Sequence, residues 1–167
     1  RHALDAEKQK KVIDSTLQET NRLNDLCNNI LLSSQLDAGG FRLNKEHSNL
    51  SNIIVEITDD FRQRFPKRKI SRDIEENLFY EADHLLLQLA LNTLMENALK
   101  YSPTEKNIHV ALIAEDKNLR ITFSDEGKGI PDIEKKKIFG KFYRIGDENT
   151  RKAKGTGLGL YLTQKIV

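Results

Sequence analysis

The first forty residues contain the feature that most constrains the fold, an unbroken helical pattern followed by a pair of glycines. Residues 4–38 include no glycine or proline, and their apolar side chains recur at three- and four-residue steps. Gly39-Gly40 then predicts the end of the helix, because glycine accepts the left-handed conformation that closes a helix. A helix of about 30–35 residues would be ~45–50 Å long, which exceeds the width of one small domain. We therefore expect a helical hairpin or a dimeric bundle, the alternative being a helix packed only against its own domain.

Composition excludes several classes of protein. The chain has 167 residues with 27 Lys+Arg and 25 Asp+Glu, and its net charge of +2 argues against a strongly basic nucleic-acid-binding domain. Cys27 is the only cysteine, so neither an intrachain disulfide nor a cysteine-based zinc site can form. No apolar run approaches the roughly 18 residues of a membrane span. We expect a cytoplasmic domain, and any membrane anchor of a parent protein would lie outside this segment.

From Phe41 onward the pattern changes to mixed α and β structure. Period-two alternation, helical apolar periods and turn residues predict five strands and three helices. The predicted strands lie near 41–46, 68–74, 77–81, 107–114 and 118–125. The predicted helices cover about 50–65, 83–101 and a final segment from Leu158. This change of pattern predicts two domains, 1–40 and 41–167.

The helix predicted at 83–101 has two different faces. Its apolar stripe consists of Leu87, Leu91, Leu94 and Ala98. Its other side carries Thr93, Glu96, Asn97 and Lys100 within a sector about 80° wide. A carboxylate, an amide and an ammonium therefore share one face near the end of the helix, although such a face is more often simply solvated.

Two glycine-containing segments point to a ligand site. Residues 125–130 (DEGKGI) end a strand with the carboxylate of Asp125, and the spaced glycines let the backbone lie beside a planar ligand. An adenine amino group is a donor that matches this carboxylate, although an Asx-type turn explains the segment equally well. Residues 155–160 (GTGLGL) precede the last helix, where backbone N–H groups and the helix N-terminus favour phosphate. We favour a phosphate site there over a flexible linker.

The segment between the two glycine clusters is basic and lacks apolar periodicity. Residues 138–144 (IFGKFYR) lead into a stretch that ends at Lys154. Its basic residues are Arg144, Arg151, Lys152 and Lys154. Beside a phosphate site a mobile basic loop would act as a lid, the alternative being an ordinary surface loop.

Taken together and in this order, these segments resemble the ATP-binding domain of sensor histidine kinases. That domain belongs to the GHKL superfamily, which also includes gyrase, a heat-shock chaperone and mismatch-repair ATPases. Residues 93–103 (TLMENALKYSP) resemble the N box, 125–131 (DEGKGIP) the first glycine box, 138–144 the F box and 155–160 the second glycine box. The helix at 4–38 resembles the second helix of the dimerisation and phosphotransfer hairpin. The resemblance implies a two-layer α/β sandwich with a mixed sheet, the Bergerat-type fold, preceded by this long helix.

The resemblance also implies roles for single residues around ATP and Mg²⁺. Asn97 would bind Mg²⁺ through its amide oxygen, Lys100 and Arg144 would offset phosphate charge, and Tyr101 or Tyr143 would contact the nucleotide. Asp125 would accept the adenine amino group. The base pocket would be shaped by Gly127, Gly129 and Ile130. The lid hinge and the phosphate-binding amides would come from Lys154, Gly155, Thr156, Gly157, Leu158, Gly159 and Leu160.

The implied reaction is transfer of the γ-phosphoryl group of ATP to a histidine nitrogen, driven mainly by positioning and charge neutralisation. Glu96 is a candidate for orienting the attacking group. The implied partners are an upstream phosphoacceptor helix, a response regulator receiver domain and a second copy bound through helix 4–38. No nucleic acid is implied.

The sequence also departs from the family pattern. The position of Thr93 is often asparagine in the N box, and Asn92 is one residue out of register. None of the four histidines (His2, His47, His84 and His109) lies in a phosphoacceptor motif. We therefore expect a fragment of a longer kinase, without the family's last strands, that binds ATP but cannot phosphorylate itself. Two alternatives are a nucleotide-sensing module without kinase activity, in which helix 4–38 only dimerises, and an ATPase that moves subunits.

Overall fold

A computed structural model describes residues 5–146 and 155–167, which divide between two compact units, Arg1–Phe41 and Arg42–Val167. The first unit is a single helix, α1, over Ala6–Asp37, as the sequence predicts. Gly39 follows the helix with a φ of +66°, the left-handed conformation expected of a glycine that ends a helix. No helix in the described ranges is both long enough and apolar enough to cross a bilayer.

The apolar side chains of α1 lie along its length and are largely open to solvent in the single chain. Six of them are 40–61% exposed, namely Val12, Ile13, Leu17, Leu23, Ile30 and Leu31. Burying such side chains is the usual source of helix stability in proteins, because helix propensity contributes little by itself.

The second unit contains the predicted succession of strands and helices. Its first four elements are β1 (Lys45–Asn49), α2 (Leu50–Arg64), β2 (Lys69–Ile74) and β3 (Phe79–Asp83). They are followed by α3 (His84–Tyr101), β4 (Asn107–Glu115) and β5 (Asn118–Asp125). The remaining elements are a short helix α4 (Asp132–Lys135), a 3-10 turn (Lys137–Phe139) and α5 (Gly159–Ile166).

Two strands differ from their predicted bounds. β1 begins at Lys45 and not at Phe41, because it pairs only with the five residues of β3 and its ladder ends at Asp83. The next backbone amide, that of Asn44, donates to the Asp83 carboxylate and not to another strand. β3 begins two residues later than predicted, since Asn77 takes a φ of +59° in the turn before it.

The strands form two small sheets, one of which is mixed as predicted. β1 and β3 are antiparallel, and the larger sheet has the order β2-β4-β5. β2 runs parallel to β4, whereas β4 and β5 form an antiparallel hairpin around Asp116, whose φ is +51°. Because of these directions, the start of β4 and the end of β5 lie at the same edge, with Ile108 opposite Asp125.

Helices α2 and α3 pack over this sheet around one apolar core. β4 alternates strictly, and Ile108, Val110 and Leu112 are completely buried. The helices contribute Leu50, Ile53, Ile54, Ile57, Phe61, Leu91, Met95 and Ala98.

The buried face of α3 is rotated slightly from the predicted stripe. Leu91 and Ala98 are buried as expected, but Leu87 and Leu94 are only half-buried and Met95 is the most deeply buried side chain of the helix. The rotation follows from a second neighbour, because α3 packs against α5 as well as against the core. The opposite face of α3 is thereby turned towards the segment that precedes α5.

An ionic cluster joins α2 to β2 at the side of the core. Arg72 donates to the Asp59 carboxylate at 2.5 Å and to the Thr58 hydroxyl at 2.8 Å. Arg62 donates to the same carboxylate and to the Ile70 carbonyl. The hydrogen bond from Arg72 lowers the pKa of Asp59, and the nearby positive charges of Arg72 and Arg62 act in the same direction.

This cluster predicts a stability that depends on pH. Because the pKa of Asp59 is lower in the folded protein, its contribution is present above the unfolded pKa of about 3.9 and is lost as the pH falls through the folded value. Asp59→Asn should lower the free energy of unfolding by about 1 kcal/mol at neutral pH, and the difference should vanish once the pH falls below the folded pKa of Asp59. Urea denaturation at several pH values measures both quantities. The matched control is Asp60→Asn, which removes an exposed pair with Arg64 and should cost less than about 0.5 kcal/mol.

Candidate functional site

The last two turns of α3 carry the polar face predicted from the sequence. Glu96 is exposed, whereas Asn97 and Lys100 are half-buried. The Lys100 ammonium lies 5.0 Å from the centre of the Tyr101 ring. The side-chain amide of Asn97 makes no hydrogen bond within the described ranges. This half-buried group, which can both donate and accept, is therefore available to a ligand.

The second glycine segment, residues 155–160, packs directly on this face. A Cβ placed on Gly159 would lie 2.7 Å from the Thr93 methyl group, and one on Gly155 would lie 2.7 Å from the Lys100 ammonium. A larger residue at position 159 would push the segment away from α3, whereas at position 155 it would displace the flexible Lys100 side chain. Leu158 anchors the segment in the core with no exposed surface, and its amide donates to the Thr156 hydroxyl. Thr93, where the family often has asparagine, therefore serves here as a packing surface for Gly159.

The first glycine segment reaches the end of the same helix from the other side. A Cβ on Gly127 would lie 2.6 Å from the Tyr101 carbonyl oxygen, which only glycine avoids. The Gly127 amide donates to Asp125 Oδ1 at 2.8 Å, so the Asx-type turn considered above is present. The Asp125 side chain is exposed and makes no other hydrogen bond among the described residues, which leaves its second carboxylate oxygen open to a ligand. The turn and the ligand interpretation are thus compatible.

The base-pocket candidates that follow Gly127 lie on the surface. Gly129 has a φ of +70°, a conformation that favours glycine. Ile130, five residues after Asp125 in the sequence, is 41% exposed, so its apolar side chain is accessible at the surface.

An ion pair at the same edge was not predicted from the sequence. Lys106 donates to Glu126 at 3.0 Å, and the Asn107 amide donates to the other carboxylate oxygen at 3.3 Å. The hydrogen bond from Lys106 is the main reason that the pKa of Glu126 is lowered, and the Asn107 amide adds to it. This pair ties the first glycine segment to the start of β4. No local pattern indicates it, because the partners are brought together only by the pairing of β4 with β5.

The segment at 138–144 joins the site through its backbone. Phe142 has a φ of +63°, and a Cβ on Gly157 would lie 2.7 Å from the Phe142 carbonyl carbon. Tyr143 donates its hydroxyl to Glu134 of α4. Of the two tyrosines proposed to meet the nucleotide, Tyr101 therefore lies beside Gly127, whereas Tyr143 is bound to Glu134. Arg144 is half-buried.

The two glycine segments thus approach the C-terminal half of α3, and the segment at 138–144 contacts the second of them through Phe142 and Gly157. Residues 147–154 lie outside the described ranges, and with them Arg151, Lys152, Lys154 and most of the predicted lid. Among the described residues there is no cluster of three or more His, Cys, Asp or Glu side chains that could hold a metal ion. His47 stacks on Phe79, and His109 shares a hydrogen bond with Ser71, which fits the structural roles expected for both. His2 lies outside the described ranges.

Residues 82–167 match the family described as histidine kinase-, DNA gyrase B-, and HSP90-like ATPase, and the chain belongs to that family.

The relatives are sensor kinases. The sensor histidine kinase WalK of Bacillus subtilis (strain 168) is 32% identical over 156 residues, which cover 91% of this chain and 26% of WalK. The solved structure of full-length ShkA in complex with AMPPNP has a TM-score of 0.79 at 21% identity and covers 99% of this chain and 34% of that one. The histidine kinase ThkA in complex with the response regulator protein TrrA has a TM-score of 0.68 at 25% identity, covering 86% and 43%. The chain therefore spans about a quarter of the length of the WalK relative.

The contact between Tyr143 and Glu134 predicts two opposite pKa shifts. The hydrogen bond to the Glu134 carboxylate raises the pKa of Tyr143, and the same bond is the main reason that the pKa of Glu134 is lowered. The contact therefore stabilises the fold above the unfolded pKa of the carboxyl group and below about 10, the unfolded pKa of tyrosine. It is lost as the pH falls through the folded pKa of Glu134 or rises through that of Tyr143.

Glu134→Gln should move the titration of Tyr143 down towards its ordinary pKa, because a neutral amide no longer disfavours the tyrosinate. Ultraviolet absorbance of tyrosinate against pH measures this, and the difference from Tyr143→Phe isolates the signal of Tyr143. Glu105→Gln, a change at an exposed loop carboxylate, is the control. An unchanged titration in Glu134→Gln would contradict the contact.

Proposed function

We propose that this chain is the ATP-binding catalytic part of a sensor histidine kinase. The single observation that carries the proposal is the approach of both glycine segments to one helix: Gly127 meets Tyr101, and Gly155 and Gly159 meet the face that carries Asn97. Such contacts are expected where backbone must lie against a bound nucleotide and its phosphates. The kinship with WalK supports the same function.

The base and the phosphates would occupy opposite ends of this site. The open oxygen of Asp125 accepts hydrogen bonds only, so it suits the exocyclic amino group of adenine. Tyr101, whose backbone carbonyl lies beside Gly127, is itself exposed and could contact the nucleotide. Lys100 would bind phosphate as a point charge, together with backbone amides of residues 155–160 at the N-terminus of α5.

Mg²⁺ would be held by Asn97 and by the phosphates. An amide oxygen is a hard ligand of the kind that Mg²⁺ prefers, and this amide has no partner in the described ranges. Mg²⁺ in nucleotide sites is usually bound by one or two protein ligands plus phosphate and water, which fits a site where the described residues offer no cage of carboxylates.

Catalysis would depend on the positioning of the reacting groups and on neutralisation of the phosphate charge. The bond between the γ-phosphorus and the bridging oxygen breaks, a bond from a histidine nitrogen forms, ADP leaves, and the imidazole loses its proton. Arg144, Lys100 and Lys154 would offset charge on the phosphoryl oxygens, and Glu96 would orient the attacking group. The acceptor histidine would belong to a helix outside this chain.

The partners follow from the same assignment. α1 would be the second helix of a dimerisation and phosphotransfer hairpin, and its exposed apolar residues would be covered in a homodimer. A response regulator receiver domain would accept the phosphoryl group next, as the complex of ThkA with TrrA suggests by analogy. The parent protein would place this part in the cytoplasm, with or without a membrane anchor elsewhere.

A phosphate-transfer experiment separates this function from its rivals. With the upstream segment restored and labelled ATP and Mg²⁺ added, we expect label on the protein that is labile to acid and stable to base, as a phosphohistidine should be. Free phosphate without labelled protein would indicate an ATPase. Nucleotide binding with neither product would indicate a sensing module.

A charge-neutralising variant tests the nucleotide site itself. Asp125→Asn should weaken ATP binding by about 1–3 kcal/mol, or roughly 5- to 150-fold, because a charge-assisted hydrogen bond to adenine is lost. Calorimetric titration with a slowly hydrolysed ATP analogue and Mg²⁺ measures the change. Asp116→Asn, in the turn at the other end of β5, should bind as wild type. Equal affinity for all three proteins would refute the role of Asp125.

A further inference from the structure

Arg68 stands out among the side chains that the proposed function leaves unused. It lies in the loop between α2 and β2 and is half-buried. Its guanidinium donates to three backbone carbonyls at the end of α3, those of Leu99, Ser102 and Pro103. The bond to Ser102 measures 2.9 Å and the bond to Pro103 measures 2.5 Å.

The carbonyls of Leu99, in the last turn of α3, and of its C-cap residue Ser102 are groups that a helix cannot satisfy by itself, whereas Pro103 follows the helix. The last carbonyls of any α-helix lack intrahelical partners and carry partial negative charge, so a cation there is favourable. A planar guanidinium can bridge several acceptors in one geometry, which a lysine ammonium cannot do in the same way. Arg68 therefore acts as a clamp on the C-terminal turn of α3.

The clamped turn carries two residues of the proposed nucleotide site. Lys100 and Tyr101 lie between the carbonyls of Leu99 and Ser102, which Arg68 holds. The Tyr101 carbonyl is also the group that Gly127 approaches. A small displacement of this turn would therefore change the gap between Tyr101 and the first glycine segment, as well as the position of the Lys100 ammonium.

Few other hydrogen bonds hold this turn within the described ranges. The Ser102 amide donates to Ala98, and the Lys106 amide donates to Pro103. The Ser102 hydroxyl is buried and has no hydrogen-bond partner, so it does not hold the turn. The contacts that join this turn to the loop after α2 are thus mainly those of Arg68.

We propose that Arg68 is a positioning residue for nucleotide binding. By holding the end of α3, it keeps Tyr101 against the first glycine segment and Lys100 against Gly155 of the second, without touching the ligand itself. The inference rests on the proposed function of this site.

The test compares Arg68→Met with Arg62→Met. Arg62 is a matched control, because it also lies on the α2 side and donates twice to one backbone carbonyl, that of Ile70, but none of its hydrogen bonds among the described residues goes to α3. For each variant of the full chain we would measure the dissociation constant of ADP with Mg²⁺ by calorimetry, and the thermal midpoint. We expect Arg68→Met to weaken binding five- to thirtyfold at a temperature where it is folded. Arg62→Met should lower the thermal midpoint but change the dissociation constant less than twofold.

A conservative variant keeps the test decisive if Arg68→Met does not fold. Arg68→Lys retains the positive charge but not the planar guanidinium. It should weaken ADP binding relative to wild type by a smaller factor than Arg68→Met does, and hydrogen exchange at the Ser102 backbone amide should be faster. Binding within twofold of wild type for a folded Arg68 variant would overturn the inference, as would an equal loss in Arg62→Met. Failure of the wild-type chain to bind ADP would instead refute the proposed function.

Discussion

The contact on which the candidate site depends is that between glycine backbone and the last two turns of α3. At Gly127 and Gly159 a single added carbon would fall within 2.6–2.7 Å of an atom of that helix. The two loops can therefore approach α3 closely, the first at Tyr101 and the second at Thr93. These distances leave no room for a side chain at Gly127 or Gly159. The close approach of the two loops to α3 therefore requires glycine at both positions.

The orientation of α3 determines which of its side chains lie near the glycine segments. Met95 and Ala98 are held in the core against the sheet, and this leaves Asn97 and Lys100 turned away from it. Asn97 is adjacent in sequence to the buried Ala98, yet its side-chain amide has no hydrogen-bond partner among the residues that the structure describes. A buried apolar stripe thus determines the direction of the groups that would meet a ligand.

Polar contacts from neighbouring elements hold the edge of the sheet where the site lies. Lys106 ties the first glycine segment to β4, Arg68 ties the end of α3 to the loop after α2, and Glu134 ties the F box to α4. Most of these groups are partly exposed, so each contact contributes little free energy. Their effect is on the geometry of the loops, which lack an apolar core of their own.

The order of the elements, the long helix and the four motifs could be predicted from the sequence, because apolar periodicity and glycine spacing are local signals. Periodicity reports only the average direction of burial, so the predicted apolar stripe on α3 is slightly offset from the face that the structure buries. The partners of Tyr143, Arg68 and Lys106 could not be predicted, since each lies on another element and no spacing rule links the two. Tertiary structure alone decided these pairings, by bringing the end of β5, the start of β4 and the end of α3 to one edge of the sheet. The sequence by itself predicts which residues could bind a nucleotide, because motif spacing is a local signal, whereas the packing of α3 between the core and α5 decides that Thr93 and Lys100 lie against the glycine segment 155–160.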